Sequence, residues 1–143
     1  MYPAELVAPM KAELVEVGFE ELLTPQDVSS ALERPGTTIV ALNSVCGCSA
    51  GSMRPALKAC LDNEKTPDNL TTSFAGFDIE AVAQARKFML PYPPSSPSIA
   101  LFKDGKLDGV KINVDSDKSK SAKIKIEEWD EKKENIVCVV DGA

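Results

Sequence analysis

Apolar positions recur over residues 4 to 17 at Leu6, Met10, Leu14 and Val17, spacings of four, four and three that line one face of a helix. Gly18 ends the pattern, and Pro9, lying inside it, places the start of the regular helix near itself. Thr24-Pro25-Gln26-Asp27 then supplies a capping residue, a proline at the first helical position and an acid in the first turn. This second helix runs to about Glu33, where Arg34-Pro35-Gly36 breaks it. The period then changes. "TTIVALN", residues 37 to 43, is short, β-branched and apolar on both faces, which predicts a buried central strand. Residues 51 to 62 read as a helix with Pro55 in its first turns, "LTTSFAG" from Leu70 as a second strand, and Ile79 to Met89 as a helix opened by Asp78. A rigid loop, "LPYPPSSPS", leads into "SIALFKDGKLDGVKINV", two strand-like runs around Asp104-Gly105, the dipeptide that a tight hairpin favours.

The order helix, helix, β, α, β, α, β, β defines an α/β fold. Its first two strands are parallel because helices cross between them, and an antiparallel hairpin follows, so helices flank a central mixed sheet. The tail is different. "SDKSKSAKIKIEEWDEKKENIVCVVDGA" opens on a Lys/Ser-rich stretch and then alternates at Ile124 and Ile126 and again from Ile136 to Val140. That pattern predicts two more strands joined near Asp130 to Lys133, a β-rich C-terminal segment.

A chain of 143 residues builds one core and is too short for two ordinary domains, so a single domain over residues 1–143 is expected. A net charge of −6 and a pI near 4.7 offer no basic footprint for nucleic acid or for anionic membrane surfaces. The N-terminus lacks the cationic and apolar regions of a secretion signal, and no segment approaches the ~20 apolar residues that span a bilayer. The expected location is the cytosol. Thiols are kept reduced there, so four cysteines point to catalysis or metal binding rather than structural staples. With no histidine in the chain, Cys/His and Ser/His pairs are excluded, as is any imidazole-bound zinc.

The chemistry concentrates in "NSVCGCSAG", residues 43 to 51. A loop between a buried parallel strand and a helix N-terminus is where α/β folds place reactive groups. The helix's unpaired amides and dipole favour an anion, so a cysteine there becomes a thiolate nucleophile. Cys46 is the better candidate nucleophile and Cys48 its partner, able to attack a mixed disulfide formed on Cys46. Gly47 accommodates the tight ring that such a pair would close, and the strain of that ring suits exchange or isomerisation. The competing readings are two small buried cysteines, or a four-thiolate metal site with Cys60 and Cys138, whose spacing lacks paired C-x(2-4)-C knuckles. Cys60, in "PALKACL", and Cys138, in an apolar run, each read as buried core residues. Pro97, before the strand that starts near Ser98, marks a strand start or a cis bond.

Two stretches resemble the thioredoxin superfamily: the Cys-x(n)-Cys loop ahead of a proline-kinked helix, Cys46 to Pro55, and "SPSIALFKDGK", similar to that superfamily's cis-proline, strand and hairpin. More specifically, "GTTIVALNSVCGCSAGSMRPAL", "TTSFAGFD" and "YPPSSPSIALFKDGK" resemble the bacilliredoxin family over about residues 4 to 107. The resemblance implies a thioredoxin-like fold and a thiol-disulfide oxidoreductase that removes bacillithiol from mixed disulfides on cytosolic proteins, with weak disulfide isomerase activity beside it. Its partners would be bacillithiolated or otherwise S-thiolated proteins and a low-molecular-weight thiol, with no cofactor and no metal. Cys46 then matches the attacking cysteine, Cys48 the second one, and Pro97, with Ser96 before it, the cis-proline segment against which an extended substrate pairs. Residues 108–143 depart from the family, whose closing amphipathic helix is not legible there. The alternative function is a cysteine-based metal-binding or redox-sensing module without turnover.

Overall fold

The computed structural model of the chain describes residues 1–47, 49–61, 66–90, 98–112, 123–125 and 139–141. Its main sheet has five strands in the order β1-β3-β2-β4-β5, with β1 at Glu20–Glu21, β2 at Thr37–Asn43, β3 at Asn69–Phe74, β4 at Ser98–Lys103 and β5 at Lys106–Ile112. Helices α1 (Ala4–Val15), α2 (Pro25–Leu32), α3 (Arg54–Cys60) and α4 (Ile79–Phe88) cover it.

β2 is the centre of the sheet, and every one of its residues is buried, as a largely apolar, β-branched run should be. It pairs parallel with β3, from Thr38 opposite Asn69 to Asn43 opposite Phe74, and antiparallel with β4, from Thr37 opposite Lys103 to Leu42 opposite Ser98. Alternation along the strand divides the core in two. Ile39 and Ala41 pack with Leu14 of α1 and with Met53, Ala56 and Leu57. Val40 and Leu42 face Val28, Ala31 and Leu32 of α2 and Ala81, Val82 and Ala85 of α4.

Several local expectations are met. Thr24 Oγ1 accepts from the Asp27 amide at 3.1 Å and Asp27 Oδ2 accepts from the Thr24 amide at 3.1 Å, a reciprocal capping box that starts α2. The Leu23 amide also donates to Asp27 Oδ2, at 2.9 Å, and these bonds, Leu23's foremost, hold the Asp27 carboxyl below its usual range. Asp104 and Gly105 both adopt positive φ, 50° and 81°, and turn β4 back into β5. That turn is tied to the loop before β2: the Gly36 amide donates to Asp104 Oδ1 at 2.8 Å, and the Asp104 amide to the Gly36 carbonyl at 2.8 Å.

Others are corrected. α1 starts at Ala4 and passes through Pro9, because proline near a helix start removes only one bond, that to the carbonyl of exposed Glu5. Its buried residues are Val7 and Leu14, seven apart, whereas Leu6 and Val17 are 43% and 37% exposed. The four-residue spacing follows a stripe beside the buried one. Asp78 stands at the start of α4 but does not cap it. Its Oδ2 accepts from the Phe74 amide at 3.0 Å and meets Lys11 Nζ at 3.3 Å. The two-residue strand β1 was hidden in an acidic dipeptide; it pairs with Thr71 and Thr72, and Arg34 at the end of α2 holds the Glu20 carboxyl below its usual range through hydrogen bonds of 2.6 and 3.1 Å. In the tail, β6 (Lys123–Lys125) and β7 (Val139–Asp141) pair antiparallel in a separate two-stranded sheet. The turn expected near residues 130–133 lies outside the described residues.

Candidate active site

The chain leaves the sheet at Asn43, and within three residues Cys46 begins a helix. The Cys46 carbonyl accepts from the Ser49 amide at 3.0 Å and the Ala50 amide at 3.4 Å, and Cys46 itself is half-buried. Ser49–Met53 coils as a π turn before α3 continues, so the helical path begins earlier than the expected residue 51. Pro55 accounts for the wide turn. A proline has no amide to give and its ring crowds the carbonyl four residues back, here that of Gly51, which looser winding relieves.

The loop is held by a buried polar network. The Ser44 amide donates to Asn43 Oδ1 at 2.9 Å, the Ser44 and Ser49 hydroxyls lie 2.8 Å apart, and the Cys46 amide donates to Ser44 Oγ at 3.3 Å. Arg54 lies beneath it, 2% exposed. Its Nη1 donates to Asn43 Oδ1 at 2.8 Å and to the Ser44 carbonyl at 3.0 Å. Its Nε is 2.8 Å from Glu13 Oε2 of α1, a contact of opposite charges whose N–H is not aligned for a hydrogen bond. Lys58 of α3 takes the other Glu13 oxygen at 3.2 Å, and Asn43 Nδ2 donates to the Met10 carbonyl at 3.1 Å. Thus α1, β2 and α3 are all tied to the segment that carries Cys46.

Cys48, Ser96 and Pro97 lie outside the described residues, as do Cys138 and the side chain of Cys60, which ends α3. The register still bears on the proline segment: β4 begins at Ser98 opposite Leu42, so the chain joins the sheet at the end of β2 from which the Cys46 loop departs. Asn43, Ser44, Ser49, Arg54 and Glu13 escaped the sequence reading. One signal was available for Arg54: it follows Met53 and precedes Ala56 and Leu57, all buried, so a cation stands on an apolar helix face.

The family described as disulphide isomerase matches residues 2–128. A bacilliredoxin of Cytophaga hutchinsonii is 57% identical over 107 residues, which cover 75% of this chain and 79% of that protein. This chain belongs to the bacilliredoxin family. A bacilliredoxin of Geobacillus kaustophilus is 55% identical over 103 residues, covering 72% and 71% of the two chains. The disulphide isomerase match extends the likeness past residue 107 into the tail. Among solved structures, mitochondrial thioredoxin 3 of Saccharomyces cerevisiae aligns with TM-score 0.52 at 18% identity over 70% of this chain and 86% of its own. The thioredoxin of Malassezia sympodialis aligns with TM-score 0.51 at 13% identity over 68% and 81%. The fold is therefore the thioredoxin fold. As a bacilliredoxin, the chain is a thiol-disulfide oxidoreductase acting on protein thiols together with a low-molecular-weight thiol. No helix among the described residues is long and apolar enough to cross a membrane.

Proposed function

We propose that this bacilliredoxin, a single domain over residues 1–143 acting in the cytosol, removes bacillithiol from mixed disulfides on proteins, with Cys46 as nucleophile and Cys48 as its partner. The observation that carries the reading is the position of Cys46, half-buried at the head of a helix that starts where the central strand ends. Amides and dipole at such a helix start favour a thiolate.

In the first step the Cys46 thiolate attacks the bacillithiol sulfur of a protein-S-S-bacillithiol adduct. One disulfide breaks as another forms, and the protein thiolate leaves and takes up a proton from water. Cys46 now carries bacillithiol. The Cys48 thiolate then attacks Cys46 Sγ, expelling bacillithiol as its thiolate and leaving the Cys46–Cys48 disulfide, or a second low-molecular-weight thiol clears Cys46 directly. Return of the internal disulfide to two thiols consumes two electrons from two external thiols, which leave as their own disulfide. Strain in a ring with only Gly47 between the cysteines favours that return, and also a weak disulfide isomerase activity. Ser96 and Pro97 are assigned to the substrate side, where an extended segment would pair with backbone next to the thiol.

The test is de-thiolation of a bacillithiolated model protein followed by mass spectrometry, with a glutathionylated one in parallel. Cys46→Ser is expected to abolish release, and Cys48→Ser to accumulate the Cys46 adduct. Full activity in Cys46→Ser refutes the assignment, and equal rates on both adducts refute preference for bacillithiol.

A further inference from the structure

We infer that Arg54 is a positioning residue for the thiol loop, its Nη1 fixing the end of β2 and its charge favouring an anion at Cys46. The inference rests on the reading of Cys46 as the attacking thiol. A guanidinium is costly to bury and persists only where it is bonded and balanced. Arg54 is 2% exposed, and both groups that its Nη1 bonds, Asn43 Oδ1 and the Ser44 carbonyl, belong to the turn leading into Cys46. The Ser44 hydroxyl in turn accepts from the Cys46 amide. The cation is therefore connected to the thiol's own backbone through a single residue.

The balance of charge there is uneven. Glu13, whose side chain is 38% exposed, is the carboxylate facing Arg54 among the described residues, and it is shared with Lys58. Among the described ion pairs, two cations thus share this one carboxylate. The other charged groups packed near Asn43 are Lys11 of α1, Glu21 of β1 and Asp78 before α4. Lys11 pairs with both carboxylates and lies over the Phe77 ring, Asp78 also accepts from the Phe74 amide, and none of these contacts is with the loop; on β7, the strand packed against α3, stands Asp141. Among the described residues, Arg54 is a cation bonded directly to the turn on which an anion at Cys46 would form. Arginine suits the task, because the two N–H groups of its Nη1 satisfy both acceptors at once and it stays charged throughout the range in which a thiol titrates.

A merely structural strut and a charge that favours the thiolate predict different signs. The experiment measures the Cys46 pKa in full-length protein from the pH dependence of iodoacetamide alkylation, read by mass spectrometry of the Cys46 peptide. Arg54→Met is expected to raise it by about one unit, a tenfold loss of thiolate well below the pKa. Arg54→Lys should leave it within about 0.3 unit while the guanidinium is lost. Glu13→Gln, which removes the counter-charge, should lower it. A strut alone would make Arg54→Met and Glu13→Gln shift it in the same direction or not at all, and either result overturns the inference. If Arg54→Met does not fold by circular dichroism, Glu13→Gln decides: an unchanged or raised pKa overturns it. Alkylation is read independently of turnover, so activity retained in Cys46→Ser would refute the catalytic assignment without touching these shifts.

Discussion

Replacing Asn43 by alanine removes the residue on which the turn before Cys46 is hung. Its amide, 1% exposed, makes three hydrogen bonds: to the Met10 carbonyl at 3.1 Å, from the Ser44 amide at 2.9 Å and from Arg54 Nη1 at 2.8 Å. Arg54 keeps its bond to the Ser44 carbonyl, and the Met10 carbonyl keeps its place in the hydrogen-bond ladder of α1, so the full penalty falls on the Ser44 amide, at about 1–3 kcal/mol for a buried group left without a partner. Weakening of the charged bond adds to this, and water entering the space left by the amide subtracts. The expected net loss is about 2 kcal/mol, a large share of the ~5–15 kcal/mol that holds a domain together. With a urea m-value of about 2 kcal/mol/M, the midpoint followed by circular dichroism should fall by about 1 M. A midpoint shift below about 0.3 M for Asn43→Ala would refute the network as drawn.

Thr24→Ala breaks the capping box of α2 and should cost about 1 kcal/mol, seen as a fall of about 3 °C in Tm. The same box gives a pH dependence: the Asp27 carboxyl, and Glu20 through Arg34, titrate lower folded than unfolded, so their contribution is complete only above about pH 5, clear of the unfolded range, and is lost as pH falls through the lower folded values. The Tm deficit of Asp27→Asn should therefore be full at pH 7 and vanish in strong acid; a deficit that persists there would refute the assignment. Gly105→Ala would place a Cβ 2.8 Å from the Leu32 carbonyl oxygen at a φ of +81°, an expected cost of about 2–3 kcal/mol by urea titration. Gly51→Ala, where a new Cβ meets nothing within 4 Å, should stay within about 0.5 kcal/mol.

Where one signal decided a feature alone, the sequence sufficed. The β-branched, largely apolar run Thr37–Asn43 is legible as a central strand because both its faces are covered, and Asp104-Gly105 as a hairpin because few residues tolerate two consecutive positive φ values. Cys46 stood out as a thiol in a small-residue loop at a strand-to-helix junction. Features set by distant partners were not legible. Glu20–Glu21 is a strand only because the Thr71–Thr72 edge of β3 was open to it, and nothing local to two glutamates encodes that. Asp78 sits where a cap is expected, but the Phe74 amide and Lys11 compete for its carboxylate. The support of the thiol loop comes from residues 13, 43, 44, 49 and 54, which converge only once α1 and α3 lie on the same face of the sheet.

The π turn at Ser49–Met53 makes spacing, as well as residue identity, a determinant of this site. A π turn takes one residue more than an α-turn into a single wider revolution, so the extra residue is absorbed locally and the segments on either side keep their angular relation. The width of the turn, set by residue count, lets the chain pass from the Cys46 loop to Arg54 and Pro55 without strain. Point changes at Ala50 or Gly51 leave that count intact, while deleting either would force the turn to tighten against the Pro55 ring with every side chain of the network still present.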